Sequence, residues 1–113
     1  MHAFHVDELL AGADGSEHVY RDFLAVDALS VGISLWPAAS RDEQRPHRED
    51  EVYCVLAGRG RIIIAGDNLP VRAGSVIYVP AGVEHHFADI SEELRVLVFW
   101  SPPHLPPRLP PPD

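Results

Sequence analysis

Short runs of apolar residues, separated by glycine, proline and acidic residues, make up the chain from about Tyr20 onward. The runs are rich in Val, Ile, Tyr and Phe, and no apolar pattern with a helical period extends over a long segment. Such spacing is typical of an all-β barrel or sandwich and argues against an α/β architecture. The predicted strands cover residues 20–26, 29–36, 51–57, 61–65, 69–72, 75–79, 85–88 and 94–100.

The residues between these runs predict how the strands are connected. The Gly-Asp-Asn sequence at 66–68 predicts a tight hairpin, because these residue types tolerate a positive φ. The Gly-Arg-Gly sequence at 58–60 is interpreted as a second hairpin turn. Before the first strand, residues 6–11 predict one or two helical turns that end at Gly12.

Composition limits the domain organisation and the cellular setting. A chain of 113 residues is long enough for one folded domain, predicted here over residues 1–100. Residues 101–113 carry seven of the eleven prolines and are predicted to form a flexible tail, because proline offers no amide donor to a sheet. A single cysteine, Cys54, permits no internal disulfide and fits a reducing cytosol.

Charge and hydropathy exclude several classes of partner. The net charge of −8 argues against nucleic acid, since phosphate binding requires clustered basic residues. The amino terminus lacks the apolar run of a signal peptide, and no apolar segment approaches the roughly eighteen residues of a membrane span. We therefore expect a soluble, cytoplasmic protein that binds neither nucleic acid nor a membrane.

Two motifs contain the side chains most suited to binding a metal. His47 and Glu51 have the spacing His-x3-Glu, and six residues separate Glu51 from Gly58. Further on, the segment from Gly74 to His85 fits the pattern G-x5-P-x-G-x2-H. Two imidazoles and one carboxylate with open positions make the facial triad of non-haem Fe(II) oxygenases, and the same donors suit Mn, Zn or Ni. The alternative is that His47 and Glu51 are solvated and His85 is a core histidine.

Strand alternation indicates which side chains share a face. If residues 51–57 form a regular strand, Glu51, Tyr53 and Val55 lie on one face and Cys54 lies on the other. Cys54 is therefore a poor candidate ligand and is interpreted as a small buried hydrophobic residue. Tyr53 and Tyr78 are candidate catalytic residues, since a tyrosine hydroxyl inside a small barrel can orient a substrate or transfer a proton. The alternative is that both pack as core residues with their hydroxyl groups satisfied. Asp42 and Glu43 are interpreted as solvated loop charges.

In this order, the two motifs resemble the two conserved motifs of the cupin superfamily. The resemblance covers roughly residues 40–100 and implies a single cupin-type β-barrel, a jelly roll or double-stranded β-helix, preceded by a short helical or extended segment. It also implies that the sheet curls enough to bring His85 to His47 and Glu51, which would together bind one divalent transition metal.

The first motif departs from the usual cupin pattern at two positions. Where cupins usually carry an earlier histidine ligand this chain has Arg45, and Ala39 replaces the leading glycine. Because arginine cannot bind a cation, Gln44, Glu49 or water is the candidate fourth ligand. Arg45 is a candidate for substrate binding, where its guanidinium would hold a carboxylate. A weak and catalytically silent site is the remaining alternative.

Several functions are consistent with a cupin that has this set of ligands. The most concrete prediction is an Fe(II)-dependent dioxygenase that acts on a small organic molecule. The alternatives are a non-redox isomerase, lyase or decarboxylase that uses Zn, Mn or Ni, and a barrel that binds a small ligand without turnover. Residues 52–57 are apolar on both faces, so either the N-terminal segment or a second chain must cover the outer face. The resemblance to cupins, which commonly dimerise in this way, implies a homodimer.

Overall fold

The structure is a computed structural model that describes residues 2–104. Its elements are α1 (Val6–Leu9), β1 (Val19–Ala25), β2 (Ser30–Trp36), β3 (Asp50–Ile64), β4 (Asp67–Arg72), β5 (Val76–Val79) and β6 (His85–Ser101). All strands belong to one antiparallel sheet in the order β1-β2-β6-β3-β4, with β5 also paired to β3. The all-β prediction is therefore confirmed. No helix within residues 2–104 has the length and apolarity needed to cross a bilayer.

Two long strands replace four of the predicted ones. Residues 51–57 and 61–65 were expected to be separate strands, but β3 runs through both, and β6 likewise joins 85–88 to 94–100. The hairpin predicted at residues 58–60 is therefore wrong. These residues lie inside β3, where its pairing with β6 shifts register three times between Val55 and Arg61. Such bulges bend a strand and increase its twist, so the two glycines mark a bend rather than a reversal.

The bend curls the sheet into a barrel-like shape. Glu51 and Ile64 lie thirteen residues apart in β3, which would separate them by about 43 Å in a straight strand. His85 is the register partner of Ile64, yet its Nε2 atom lies 2.9 Å from Oε1 of Glu51. The two ends of β3 are therefore turned toward each other, and the inner face of the sheet encloses the main core.

Apolar side chains pack on both faces of the sheet. The inner cluster includes Val55, Ile62, Phe87, Leu94 and Val96, all nearly inaccessible to solvent. On the outer face the N-terminal segment covers part of the sheet, with Leu9, Leu10 and Ala13 packed around Ile33 and Leu35 of β2.

A hydrogen-bonded arginine fastens that N-terminal segment to the sheet. Nη1 of Arg21, in β1, donates to the carbonyl oxygens of Leu9 at 3.0 Å and Ala11 at 2.8 Å. The predicted helical turns are thus confirmed at Val6–Leu9, and their free carbonyl groups are satisfied by a side chain.

The β3–β4 hairpin and the start of the C-terminal segment refine two further predictions. The hairpin turns at Ala65 and Gly66, with φ values of 50° and 89°, one residue earlier than predicted. The amide of His104 donates to Oγ of Ser30 at 2.8 Å, so residues 101–104 of the predicted flexible tail lie against the barrel. Residues 105–113 lie outside the described residues.

Replacement of Gly58 by alanine tests whether β3 must bend at this position. Gly58 has a φ of 96°, and an added Cβ would collide with the backbone carbonyl of Glu93. We expect Gly58→Ala to lower the free energy of unfolding by about 2–5 kcal/mol, from backbone strain plus overpacking. Gly66→Ala is the matched control, because Gly66 also has a positive φ but has open space around it. Gly66→Ala should lower the free energy of unfolding by only about 1–2 kcal/mol, measured by urea denaturation. Equal losses of stability in the two variants would contradict the steric argument.

Candidate metal site

Three potential ligands from three separate segments meet inside the barrel. His47 lies in the irregular segment before β3, Glu51 lies near the start of β3, and His85 is the first residue of β6. One ligand atom from each residue lies within 4.8 Å of the other two. Glu51 is 1% exposed and His85 is 2% exposed, whereas His47 is partly exposed. The structure thus brings together the three residues that the sequence predicted as ligands.

Strand alternation places the carboxylate of Glu51 on the inner face. Glu51, Tyr53 and Val55 are all buried, whereas Cys54 between them is only partly buried and lies on the opposite face. This arrangement follows the parity that was expected for a regular strand. Cys54 is therefore not part of the ligand cluster.

The corner between β5 and β6 holds the first motif in position. The amide of Gly82 donates to the carbonyl oxygen of His47 at 2.6 Å. Beside it, the amide of Ala81 donates to Oδ1 of Asp50 at 2.9 Å. The glycine- and proline-containing corner of the second motif thus fixes the backbone on either side of the His-x3-Glu segment. The two motifs form one structural unit.

The contact between His85 and Glu51 has the properties of a cation site. Nδ1 of His85 lies 2.9 Å from the carbonyl oxygen of Val83, and because a carbonyl only accepts, Nδ1 carries a proton. When the ring is neutral, Nε2 carries a lone pair that faces Oε1 of Glu51 at 2.9 Å. Neither of these atoms, nor Oε2 of Glu51, has a hydrogen-bond partner among the described residues.

A bound metal ion would satisfy all three buried atoms. Ligands about 2.1 Å from one ion lie about 3 Å from each other, which matches the separation of Nε2 and Oε1. Without a metal, a proton shared by the pair is the other cation that would offset the burial of the carboxylate. The donor set therefore fits a divalent transition metal.

The environment shifts the pKa values of the two histidines in opposite directions. Burial lowers the pKa of His47, and the neighbouring His85 and His104 lower it further. The carboxylate of Glu51 acts in the opposite direction. For His85, burial also favours the neutral ring, but the Glu51 carboxylate and the Val83 carbonyl together raise its pKa above the ordinary value. Neutral His47 is thus ready to bind a metal, whereas at His85 a proton competes for the same position.

A buried aspartate organises the side chains next to the ligands. Oδ2 of Asp42 accepts from the amide of Phe87 at 2.8 Å and from Nε2 of Gln44 at 2.6 Å. Oε1 of Gln44 in turn accepts from the hydroxyl of Tyr53 at 3.1 Å and lies 3.3 Å from Nε2 of His47. Asp42 was interpreted from the sequence as a solvated loop charge, which is wrong, since it is 7% exposed.

The remaining predicted site residues are only partly brought together. Of the two candidate fourth ligands, Gln44 lies beside His47, whereas Oε2 of Glu49 is bound to Nδ1 of His104 at 3.1 Å. Arg45 is exposed and does not line the cavity at the cluster, so the structure does not bring it to the ligands. The irregular backbone before β3 turns Gln44 inward and Arg45 outward.

The two candidate catalytic tyrosines lie on opposite faces of the sheet. Tyr53 is 2% exposed and lines the cavity, and burial raises the pKa of its hydroxyl well above the ordinary value. Tyr78 is 58% exposed on the outer face of β5, where its hydroxyl donates to Asp50 at 3.1 Å. The structure therefore does not bring Tyr78 to the ligand cluster, because its side chain lies on the outer face.

A cavity of about 150 Å³ opens beside Glu51 and His47. Its aromatic walls include Tyr20, Trp36, Tyr53 and Trp100. His18 stacks on Trp36 and His104 stacks on Trp100, with ring centroids 3.6 Å and 4.1 Å apart. His18, Tyr20 and His104 were missed in the sequence, because nothing in the local pattern around them indicates a cavity on the far side of the sheet.

Within residues 2–104, fold and site together define a small β-barrel with a candidate mononuclear metal centre. Residues 33–101 match the Cupin domain family, so the chain belongs to that family. The cupin superfamily resemblance of the two motifs is thereby confirmed.

The relatives range from a full-length match to partial matches with enzymes. The chain is 48% identical over 103 residues to the uncharacterized protein SCO3923 of Streptomyces coelicolor, covering 91% of this chain and 98% of that one. It is 39% identical over 64 residues to the acireductone dioxygenase of Geobacillus thermodenitrificans, covering 50% of this chain and 36% of the enzyme. It therefore spans about a third of that enzyme. Among solved structures, TT1209 from Thermus thermophilus superimposes with a TM-score of 0.79 at 16% identity, covering 92% of this chain and all of the other, which shows a shared fold.

Replacement of Asp42 tests whether its network supports the site. We expect Asp42→Asn to lower the free energy of unfolding by about 1.5–3 kcal/mol, because an amide cannot accept all the hydrogen bonds that reach the buried carboxylate. Glu43→Gln is the matched control, since Glu43 is adjacent and exposed. Denaturant unfolding measures both variants. If the two variants lose the same stability, Asp42 has no special structural role.

Proposed function

We propose that this cupin is a metal-dependent enzyme in which His47, Glu51 and His85 bind one divalent transition metal, with Fe(II) favoured over Mn, Zn or Ni. Its reaction would be dioxygenation of a small organic molecule. The observation that carries the proposal is the buried pair of Nε2 of His85 and Oε1 of Glu51, 2.9 Å apart and without hydrogen-bond partners among the described residues. Two imidazoles and one carboxylate are the donors of non-haem Fe(II) oxygenases.

The chain's own groups prepare the cavity for that chemistry. A metal with only three protein ligands would supply open positions for the substrate and O2. Gln44 is the side chain best placed to approach a fourth position, and Asp42 and Tyr53 hold its amide through hydrogen bonds of 2.6 Å and 3.1 Å. Tyr53 keeps its proton at neutral pH because its pKa is raised, so it acts as a hydrogen-bond donor that orients Gln44 or the substrate, not as a general base.

The aromatic walls have a second role in this proposal. Trp36 and Trp100 are each at most 5% exposed and line the cavity beside the ligands. Apolar walls of this kind exclude water and thereby strengthen the electrostatic effect of any charge inside. The partial similarity to an acireductone dioxygenase, a protein whose name states a dioxygenase activity, is consistent with this function but covers only half of the chain.

Metal analysis of the untagged protein is the first test of the proposed ligands. By plasma mass spectrometry we expect close to one transition metal per chain, either as purified or after anaerobic addition of Fe(II). His47→Ala, Glu51→Ala and His85→Ala should each reduce metal affinity by at least about tenfold, since each removes a ligand. His86→Ala is the matched control, because His86 neighbours His85 but alternates to the other face. Unchanged metal content in His85→Ala would refute the assignment.

Oxygen uptake then separates the functional alternatives. Consumption of O2 by the Fe(II)-loaded protein with a small organic substrate supports the dioxygenase. Bound metal with turnover but without O2 uptake indicates an isomerase, lyase or decarboxylase. If the protein binds none of Fe(II), Mn, Zn and Ni but is thermally stabilised by a small ligand, it is a barrel that binds this ligand without turnover.

A homodimer is the second part of this proposal, and its support comes from the uncovered part of the outer face. Val76, Tyr78 and Phe99 are 69%, 58% and 38% exposed. In the register of the sheet Val52 lies between Tyr78 and Phe99, so these residues form one apolar patch across β5, β3 and β6. The N-terminal segment covers β2 and the adjoining part of the outer face instead. Exposed patches of this kind commonly mark protein contacts.

A charge placed in the patch tests the dimer. Val76→Arg should shift the protein from dimer to monomer, as measured by size-exclusion chromatography with light scattering. In a symmetric interface the arginines of both copies would be buried, and burial of two like charges is unfavourable. Leu69→Arg is the matched control, since Leu69 is 48% exposed but lies in β4, away from the patch. A monomeric parent protein, or equal dissociation in both variants, would contradict the proposed interface.

A further inference from the structure

Among the described residues, no arginine or lysine lines the cavity beside the proposed metal site. None of the arginines within residues 2–104 lines it, and the chain contains no lysine. Among the described residues that line it, Glu51 is the one carboxylate and three are histidines, and the buried carboxylate of Asp42 lies immediately behind Gln44. In the metal-free protein, a substrate with a free carboxylate or phosphate would thus lie beside the Glu51 carboxylate without an arginine or lysine partner, which is unfavourable.

Size and shape restrict the occupant further. A cavity of about 150 Å³ has the volume that holds one benzene-sized molecule. The stacked pairs His18–Trp36 and Trp100–His104, each with an interplanar angle of 16°, hold both indole rings in fixed planes. Flat, rigid walls favour a flat ligand, because aromatic rings gain from offset or edge contacts with other rings.

The indole of Trp36 lacks the hydrogen bond that the other indole has. Nε1 of Trp100 donates to the hydroxyl of Tyr20 at 2.8 Å. Nε1 of Trp36 is buried without an acceptor among the described residues, although Trp36 is 5% exposed and lines the cavity. An indole N–H can only donate, and burial of such a donor without an acceptor is unfavourable. An acceptor atom brought in by a ligand would remove that penalty.

We propose that the cavity takes a small, uncharged, planar ring that carries an oxygen acceptor, and that the Nε1–H group of Trp36 donates to this oxygen. This inference names the substrate class for the proposed metal enzyme and rests on that function for its biological meaning. The ring would lie between the aromatic walls, with its reactive edge toward Glu51 and His47. Trp36 is then a specificity-determining residue for the acceptor.

Binding of four simple probes to the full chain tests the ligand class. The probes are phenol, toluene, cyclohexanol and benzoate, measured by calorimetry on chelator-treated protein and again on the Zn-loaded, redox-silent form. We expect phenol to bind at least about tenfold more tightly than cyclohexanol, which is not planar, and than benzoate, which is charged. Benzoate that binds as tightly as phenol to the chelator-treated protein would overturn the inference.

Trp36→Phe tests the hydrogen bond, because it keeps an aromatic wall and removes the donor. It should weaken phenol binding by about tenfold and change toluene binding by less than about twofold, since toluene has no acceptor. Equal weakening of both probes would mean that Trp36 only fills space and would overturn its role as a donor. Melting temperature and metal content confirm that the variant is folded, and if it is not, the comparison of phenol with cyclohexanol and benzoate in the parent protein still decides the ligand class.

This design keeps the two proposals separable. Probe binding to chelator-treated protein does not depend on a metal. A protein that binds no metal but binds phenol more tightly than benzoate would therefore refute the metal-enzyme proposal and support the ligand class. Protein that binds metal through His47, Glu51 and His85 but prefers benzoate in both forms supports the metal site and refutes the ligand class.

Discussion

The bend of β3 is the constraint on which the site depends. His85 pairs in register with the far end of β3 from Glu51, and only a strongly curled strand brings these two side chains within 2.9 Å. Gly58 makes the curl sterically allowed, because β6 passes so close that no Cβ fits at this position. A backbone feature at the centre of the sheet thus determines the geometry of ligands at its ends. The same bend encloses the inner core, so folding and site formation occur together.

Burial of Glu51 turns this geometry into a chemical requirement. A carboxylate that is 1% exposed, with both oxygens lacking hydrogen-bond donors, is destabilising by several kcal/mol unless a cation lies beside it. The surrounding polar groups do not supply one: Asp42 is itself anionic, and Gln44 directs its oxygen toward His47. Among the described residues, a proton shared by His85 and Glu51 would offset the charge, and so would a bound metal ion. In this site, stability of the fold and affinity for a cation are therefore linked.

The sequence predicted the face of each residue well wherever the backbone was regular. Alternation in β3 correctly assigned Glu51 and Tyr53 to the inner face and Cys54 to the outer face. The sequence pattern did not distinguish a bend from a hairpin turn at Gly58, because glycine with a positive φ occurs in both. It also could not orient Arg45 and Gln44, which lie in an irregular segment without a period. Asp42 looked solvated since its main donor, the amide of Phe87, lies 45 residues away in the chain.

The placement of the arginines explains why the cavity and the surface have opposite chemical character. Arg21 binds the carbonyl groups at the end of α1, Arg59 pairs with Glu92 at 3.1 Å, and Arg95 pairs with Glu93 at 2.9 Å, all outside the cavity. The chain thus uses its guanidinium groups to fasten segments and strands on the exterior, and it lines the interior with indole, phenol and imidazole rings. In the proposed enzyme, recognition in such a cavity would come from ring contacts, single hydrogen bonds and the metal ion held by Glu51. These forces select by shape and by acceptor position, and they disfavour an anionic group except where that group binds the cation directly.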